Sequence, residues 1–431
     1  VTAPYTAGQA RRVLLLLTAT RWFPVGLAIG VHTLLPLERG MSVAQIGVIL
    51  SVQGLVVLAL ELPTGGFADA LGRRPVLVTA TVVALASAVA FALAQTFLAF
   101  VVALLLQGVY RALDSGPLEA WYVDAAQADD PDVRVEDGLA RAGTALGGAI
   151  AAGAVVSGGV ILWHPVGSLT ALENAAWLAV LFIAVNLVVT VALLREPVSH
   201  VDSRGLHRAA ASVREAPRVV AGGFRLLGSN RVLLALVGVE VFWAVGMIAF
   251  ETFMPVRLSE LAGGETEAGA LMGPVSAVAW GLFAAGSSVA AVLMRRVGVT
   301  WTAIAAAISR AVFTVVMGLM AGPLGLISAF LVVYTLHGVG GPAHATLLHR
   351  QAEARNRTTV LSMNSMVAGG AYSLGLLALG PVAEATSTAT GIVVAGAFSV
   401  LGALLYLPAL RQERASREVT STPSTQDAVA S

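Results

Sequence analysis

The chain contains no cysteine and no lysine in 431 residues. Without cysteine there can be no disulfide, zinc thiolate site or thiol nucleophile, and the redox compartment cannot be read. With all 26 basic residues arginine, the missing lysine reads as a composition bias and carries no functional weight. Charge of either sign is also scarce, at 12% of residues against 57% hydrophobic, and the formal net charge is +1. Such a chain cannot cover itself with polar surface in water, and its neutral balance gives no case for a nucleic-acid partner. Nucleotide-binding loops, nucleophile elbows and His/Asp metal clusters are missing from the sequence, so neither an enzyme nor a metal or cofactor site is expected.

What is present is a series of apolar runs about 20 residues long, the length that carries a helix across roughly 30 Å of hydrocarbon. Runs bounded by charge and Pro/Gly clusters predict an all-α polytopic fold. Spans are expected near 13–35, 43–63, 75–95, 98–122, 138–161 and 172–194, then 231–254, 270–294, 299–320, 324–348, 358–381 and 389–410. The first run leads into an Arg-bearing span with no small-residue cleavage site, so it reads as a membrane helix rather than a secretory signal. The longest polar stretch, 195–230, carries Arg195, Arg204, Arg208, Arg214, Arg218 and Arg225. It reads as a cytoplasmic linker between a bundle over 1–194 and a second over 231–410, with a tail over 411–431; a surface-lying helix within the linker is one possibility.

Arginine placement sets the expected orientation. With the N-terminus inside, 21 arginines fall in cytoplasmic segments, Arg39 and Arg257 lie outside, and Arg21, Arg111 and Arg310 lie within spans. Both termini are therefore expected in the cytoplasm of a bacterial inner-membrane protein. The halves echo each other. Gly116-Pro117 opens a stretch ending at Gly147-Gly148-Ala149, and Gly341-Pro342 opens one ending at Gly369-Gly370-Ala371, about half a chain away. Repeated bundles of this kind are a transporter pattern.

Ionisable groups at mid-span are costly and are the first functional candidates. Arg21, Arg111, Asp114, Glu240, Arg310 and His337 are expected near the centre, and Glu61, Glu119, Arg141 and His344 nearer the cytoplasmic side. Asp114 and Glu240 are the two acids expected at the centre. A carboxylate there responds both to desolvation and to a neighbouring cation, so ligand binding can be coupled to proton release. The proton-coupling candidates are Asp114, Glu240, His337, Glu119 and Glu61. The competing reading makes Arg111 and Asp114 a structural ion pair and leaves Glu240 paired inside its bundle. Glu119 reads as a partner for Arg141 or as part of a cytoplasmic cluster with Asp124. His337 and His344, seven residues apart on one helix face, are either a proton relay or packed, hydrogen-bonded histidines. Trp22, Tyr110, Trp243, Trp280 and Tyr372 are placed to stack on an apolar or cationic ligand, or to serve as packing. Together with Arg21 and Arg111 they form the candidate substrate cavity.

The loop after the second span reads Gly65-Gly66-Phe67-Ala68-Asp69-Ala70-Leu71-Gly72-Arg73-Arg74-Pro75. This resembles the cytoplasmic signature of the major facilitator superfamily. The resemblance implies twelve helices in two pseudo-symmetric six-helix bundles and a cytoplasmic gate motif of Gly65, Asp69, Gly72, Arg73 and Arg74, with Asp124 as the acid that Arg73 meets. Leu106-Gln107-Gly108-Val109-Tyr110 is similar to the family's fourth-helix motif, with Leu104 where that motif has Arg and with Arg111 two turns further along. Ser115-Gly116-Pro117-Leu118-Glu119-Ala120-Trp121-Tyr122-Val123-Asp124 and Asn356-Arg357-Thr358-Thr359-Val360-Leu361-Ser362 resemble bacterial drug-exporter branches. The fifth span, with Gly143, Gly147, Gly148, Gly153, Gly158 and Gly159, resembles the glycine-rich helix of drug:proton antiporters, with Gly148 where that motif has Pro; a small-residue packing face is the other reading. The resemblance implies a monomeric, proton-coupled exporter of drug-like or secondary-metabolite molecules, driven by the proton gradient. A carrier of a small anionic or zwitterionic metabolite on the same fold is the alternative, and a non-transporting scaffold the more distant one.

Overall fold

The structure, a computed structural model, describes residues 5–65, 71–196, 218, 221–353 and 356–421; the side chains of 61–65, 358 and 416–421 lie outside that set. Asp69 lies outside the described residues, and so do the side chains of Gly65 and Glu61, so the structure reads only part of the gate motif. Twelve helices are long and apolar enough to cross a membrane, and no strand occurs among the described residues. They are α1 (Ala7–Glu38), α2 (Val43–Gly65), α3 (Arg73–Leu93), α4 (Phe97–Gln127), α5 (Val135–Trp163), α6 (Ala171–Leu193), α7 (Arg231–Ala262), α8 (Glu265–Val297), α9 (Val299–Leu319), α10 (Pro323–Gln351), α11 (Arg357–Ala385) and α12 (Thr388–Ser421). Each matches one expected span. The largest differences are at α12, which runs on to Ser421 past the expected end near 410, and at α7, which runs to Ala262 rather than stopping near 254 because Pro255 and Arg257 interrupt the apolar run without ending the helix.

Four helices are interrupted: α12 tightens to a 3-10 stretch over Val400–Tyr406, and the other three interruptions each have a local cause. In α1 the chain breaks at Ile29-Gly30, where Gly30 has φ of 80°. In α4 Asp114 caps one segment, Gly116 takes a left-handed φ of 92°, and Pro117 starts the next where its missing N–H costs nothing. In α7 a π-helical turn over Ala249–Phe253 inserts an extra residue. The repeat noted in the sequence does not extend to this geometry, because Gly341-Pro342 lies inside an unbroken α10.

The halves meet through α2 against α11 and α5 against α8. These contacts lie toward the side opposite the chain termini. Glycine permits the approach: a Cβ on Gly47 would stand 3.0 Å from the Leu376 carbonyl oxygen, and one on Gly158 would stand 2.7 Å from that of Ala270. Ser51 Oγ donates to the Ser373 carbonyl at 2.8 Å. At the rim, the Glu384 carboxylate at the end of α11 accepts from Ser42 Oγ at 2.5 Å and from the Ala44 N–H at 3.0 Å, so one half caps a helix N-terminus of the other. Beneath it a single apolar cluster joins Leu34, Ile49, Phe100 and Leu172 to Phe250, Phe253, Met272 and Leu376. On the termini side the cores separate. One cluster, with Leu14, Leu77, Leu118 and Trp121, belongs wholly to the first half, and another, with Leu236, Val299, Leu347 and Tyr406, wholly to the second. The molecule is shut on one side and parted on the other.

The rim contact predicts how that shut side responds. The native chain has no cysteine, so a single reporter introduced by Ile49→Cys, at a buried site in the shared cluster, reads without background. Glu384→Ala should raise its labelling rate from that side several-fold. Acidification of that side should act in the same direction, since a protonated carboxyl loses its charge-assisted acceptor strength. Unchanged labelling in both arms would remove Glu384 from the closure.

Candidate functional site

In the first half, Arg21 of α1 meets Asp114 at the α4 break. Nη2 lies 2.5 Å from Asp114 Oδ2, and it also donates to the Asp114 carbonyl at 3.1 Å. Both side chains are largely buried, Tyr110 stands beside the pair, and the guanidinium lies 5.4 Å from the Trp22 ring centroid. Asp114 thus pairs with Arg21, not with Arg111 as the structural alternative had it. A cavity of about 20 Å³, the size of one water molecule, adjoins the pair and is also lined by Thr81, Asn186 and Thr190.

In the second half, Glu240 of α7 lies 3.1 Å from His344 Nε2 and accepts a 2.9 Å bond from Asn364. His344 Nδ1 is 2.9 Å from the Tyr406 hydroxyl. Arg310, only 3% exposed, has its guanidinium 4.0 Å from the Trp243 ring centroid and within the electrostatic field of Glu240 and Tyr406. Sequence reading had found no partner for it; the indole face supplies one, while its Nη1 has no hydrogen-bond partner among the described residues. The Trp243 ring stands near both His337 and His344, with centroid separations of 5.2 and 5.8 Å. His344 is held by polar partners, whereas His337 packs against Phe250 and Phe283 and its Nδ1 has no hydrogen-bond partner among the described residues.

Near the gate motif, Arg73 pairs with Asp124, as the resemblance implied. The Glu196 carboxylate, which sequence reading passed over, accepts from the Arg73 and Arg74 N–H groups at 2.8 and 3.0 Å and caps α3. Asp124 and Glu196 belong to the same half as Arg73, and these contacts are present while the termini side is parted. They staple that half together without drawing the two halves shut. Glu119 is exposed and pairs with neither Arg141 nor Asp124; it faces the Arg21 and Asp114 charges instead.

The glycine-rich α5 divides its glycines between two uses. Gly153 and Gly158 sit against the α1 and α8 backbones, whereas Gly143, Gly147 and Gly148 have no atom within 4 Å of where a Cβ would stand. Trp280 packs against Tyr334, with centroids 6.2 Å apart, and Tyr372 hydrogen-bonds Thr252 at 2.8 Å. Between them lies Glu251, on the π turn of α7, accepting a 2.7 Å bond from the Tyr334 hydroxyl. Sequence reading missed this acid because the span was ended near 254. Gly263-Gly264, where both glycines have positive φ, is the true stop and would have placed Glu251 well inside the helix.

Twelve membrane-length helices in two halves, shut on one side and parted on the other over buried charge, define a polytopic membrane transporter. The chain belongs to the Major Facilitator Superfamily, whose family model matches residues 14–341. No curated protein sequence matches the chain. A solved structure of the nucleoside transporter NupG is similar with a TM-score of 0.74 at 12% identity, over 93% of this chain and 98% of that one. A structure of a proton-dependent oligopeptide transporter is similar with a TM-score of 0.69 at 12% identity, over 94% and 99%. At that identity the likeness is one of fold.

The Arg21 and Asp114 pair carries a stability prediction. Arg21→Ala leaves a buried carboxylate uncompensated and should cost about 3–5 kcal/mol. The double variant Arg21→Met with Asp114→Asn should recover most of that loss. Thermal unfolding of the purified single and double variants, read as a double-mutant cycle, measures the coupling; additive losses would show that the two do not act as a pair.

Proposed function

We propose that the protein is a proton-coupled secondary transporter that works as a monomer in a bacterial inner membrane and exports drug-like or secondary-metabolite molecules by alternating access. The proton gradient is its energy source, and no cofactor takes part. The observation that carries this reading is the Glu240 and His344 pair, at 3.1 Å beside the parted cleft. A carboxylate and an imidazole in contact can hold one proton between them and exchange it when the local field changes. Asn364 and Tyr406 hold both groups in place as the proton moves. Arginine placement puts the termini in the cytoplasm. The parted cleft then faces the cytoplasm, which is the state in which an exporter loads.

Asp114 has a different role on this reading. Its partner Arg21 stays charged, and the pair holds α1 to the α4 break. In proteoliposomes with an imposed pH gradient, Glu240→Gln should keep the fold and downhill exchange but lose gradient-driven accumulation. Asp114→Asn should lose stability before it loses coupling. Gradient-driven flux by Glu240→Gln equal to the parent's would show that this pair does not carry the proton.

A further inference from the structure

Two opposite charges, one in each half, have no ionic partner among the described residues. Arg111, in the last turn of the first α4 segment, is exposed and forms no ion pair or hydrogen bond among them. Glu251 is exposed at its π turn and among the described residues is bound by the Tyr334 hydroxyl alone. At 1.5 Å per helical residue, Arg111 lies about 21 Å from the closed-side start of α4 and Glu251 about 16 Å from the closed-side end of α7, a difference of about one helical turn. The two stand within about one helical turn of the same depth, in opposite halves. Tyr372, from α11, feels the charge of both. Glu251 also has an aromatic wall, since Tyr334 packs on Trp280 and on Phe250.

A carboxylate backed by aromatic faces is a site for an ammonium group, and a free guanidinium is a site for a carboxylate or phosphate. We infer that Arg111 and Glu251 are the two ends of one substrate site, and that its ligand is a zwitterion whose anion meets Arg111 and whose ammonium meets Glu251. This inference rests on the transporter reading and names its substrate class. The physical case comes from closure. While the cleft is parted, water solvates both charges. When the halves close over the site that water is lost, and a bare charge at mid-membrane is strongly disfavoured. A zwitterion bridging the halves neutralises both at once, whereas a ligand carrying one charge leaves the other bare. Closure is then selective for the doubly charged ligand.

The test uses the purified full-length chain and ω-amino acids from 3-aminopropionate to 8-aminooctanoate, together with phenylalanine, each compared with its methyl ester and its N-acetyl derivative by ligand-induced thermal stabilisation. At least one zwitterion should stabilise the parent, and blocking either charge should weaken apparent affinity about tenfold or more. In Arg111→Gln the zwitterion and its methyl ester should bind alike, and in Glu251→Gln the zwitterion and its N-acetyl derivative should bind alike. Equal binding of a zwitterion and both blocked forms to the parent would overturn the inference, as would failure of every zwitterion in the series to bind. The parent arm decides the matter even where a variant does not fold. Proton-driven flux is measured separately, so its loss would count against the transporter reading and not against this site.

Discussion

Every feature near the centre of this molecule answers one constraint: a charge removed from water must meet an opposite charge, a strong dipole or a wet cleft. The interior satisfies it in three ways. Arg21 and Asp114 meet directly, Glu240 meets an imidazole and an amide, and Arg310 lies over an indole face within reach of the field of Glu240. Arg111 and Glu251 stay exposed instead, one on each wall. The first three arrangements lie within a single half and survive any movement of one half against the other. The last two depend on what fills the cleft, which makes them sensitive to the state of the molecule.

The helix interruptions are what bring these groups to the centre. Asp114 closes the first α4 segment where it meets Arg21 of α1, and the left-handed turn at Gly116 lets Pro117 begin the next segment just beyond it. A regular α7 would carry Glu251 on a different face relative to Phe250 and Phe253. The π turn buries those rings in the shared apolar cluster while the carboxylate stays exposed beside Tyr334. Local backbone irregularity is tolerated within a membrane where neighbouring helices cover it or where it borders a cavity, and both sites meet that condition.

The fold was legible in the sequence because apolar run length is a strong signal and each of the twelve runs is bounded by charge or by Pro/Gly. The partner of Arg73 was legible for another reason, a resemblance that places Asp124 at the end of α4. The site was only partly legible. Asp114 and Glu240 stood out as acids within long apolar runs, but their partners Arg21 and His344 lie 93 and 104 positions away in sequence, and helical periodicity says nothing about contacts between helices. Glu251 was lost because Pro255 and Arg257 look like a span boundary. They mark only the rim, where Arg257 is already paired with Glu260. Glu196 was lost because a carboxylate capping a helix from another part of the chain leaves no local pattern.

The distribution of small residues marks where the two halves come closest. On the shut side the halves touch through glycine and serine, with Ser51 bonded to a backbone carbonyl and Gly47 close to another. These small residues let the helices approach closely, while the large side chains of the shared cluster, Phe250 and Phe253 among them, fill the space beside them. Within each half the seams differ. The termini-side cores are filled by large side chains such as Trp121 and Tyr406, which resist exposure. The backbones of the two halves therefore come closest along the glycine and serine surfaces between α2 and α11 and between α5 and α8. The open glycines of α5, Gly143, Gly147 and Gly148, lie on the termini-side part of the same helix whose Gly158 is already packed on α8.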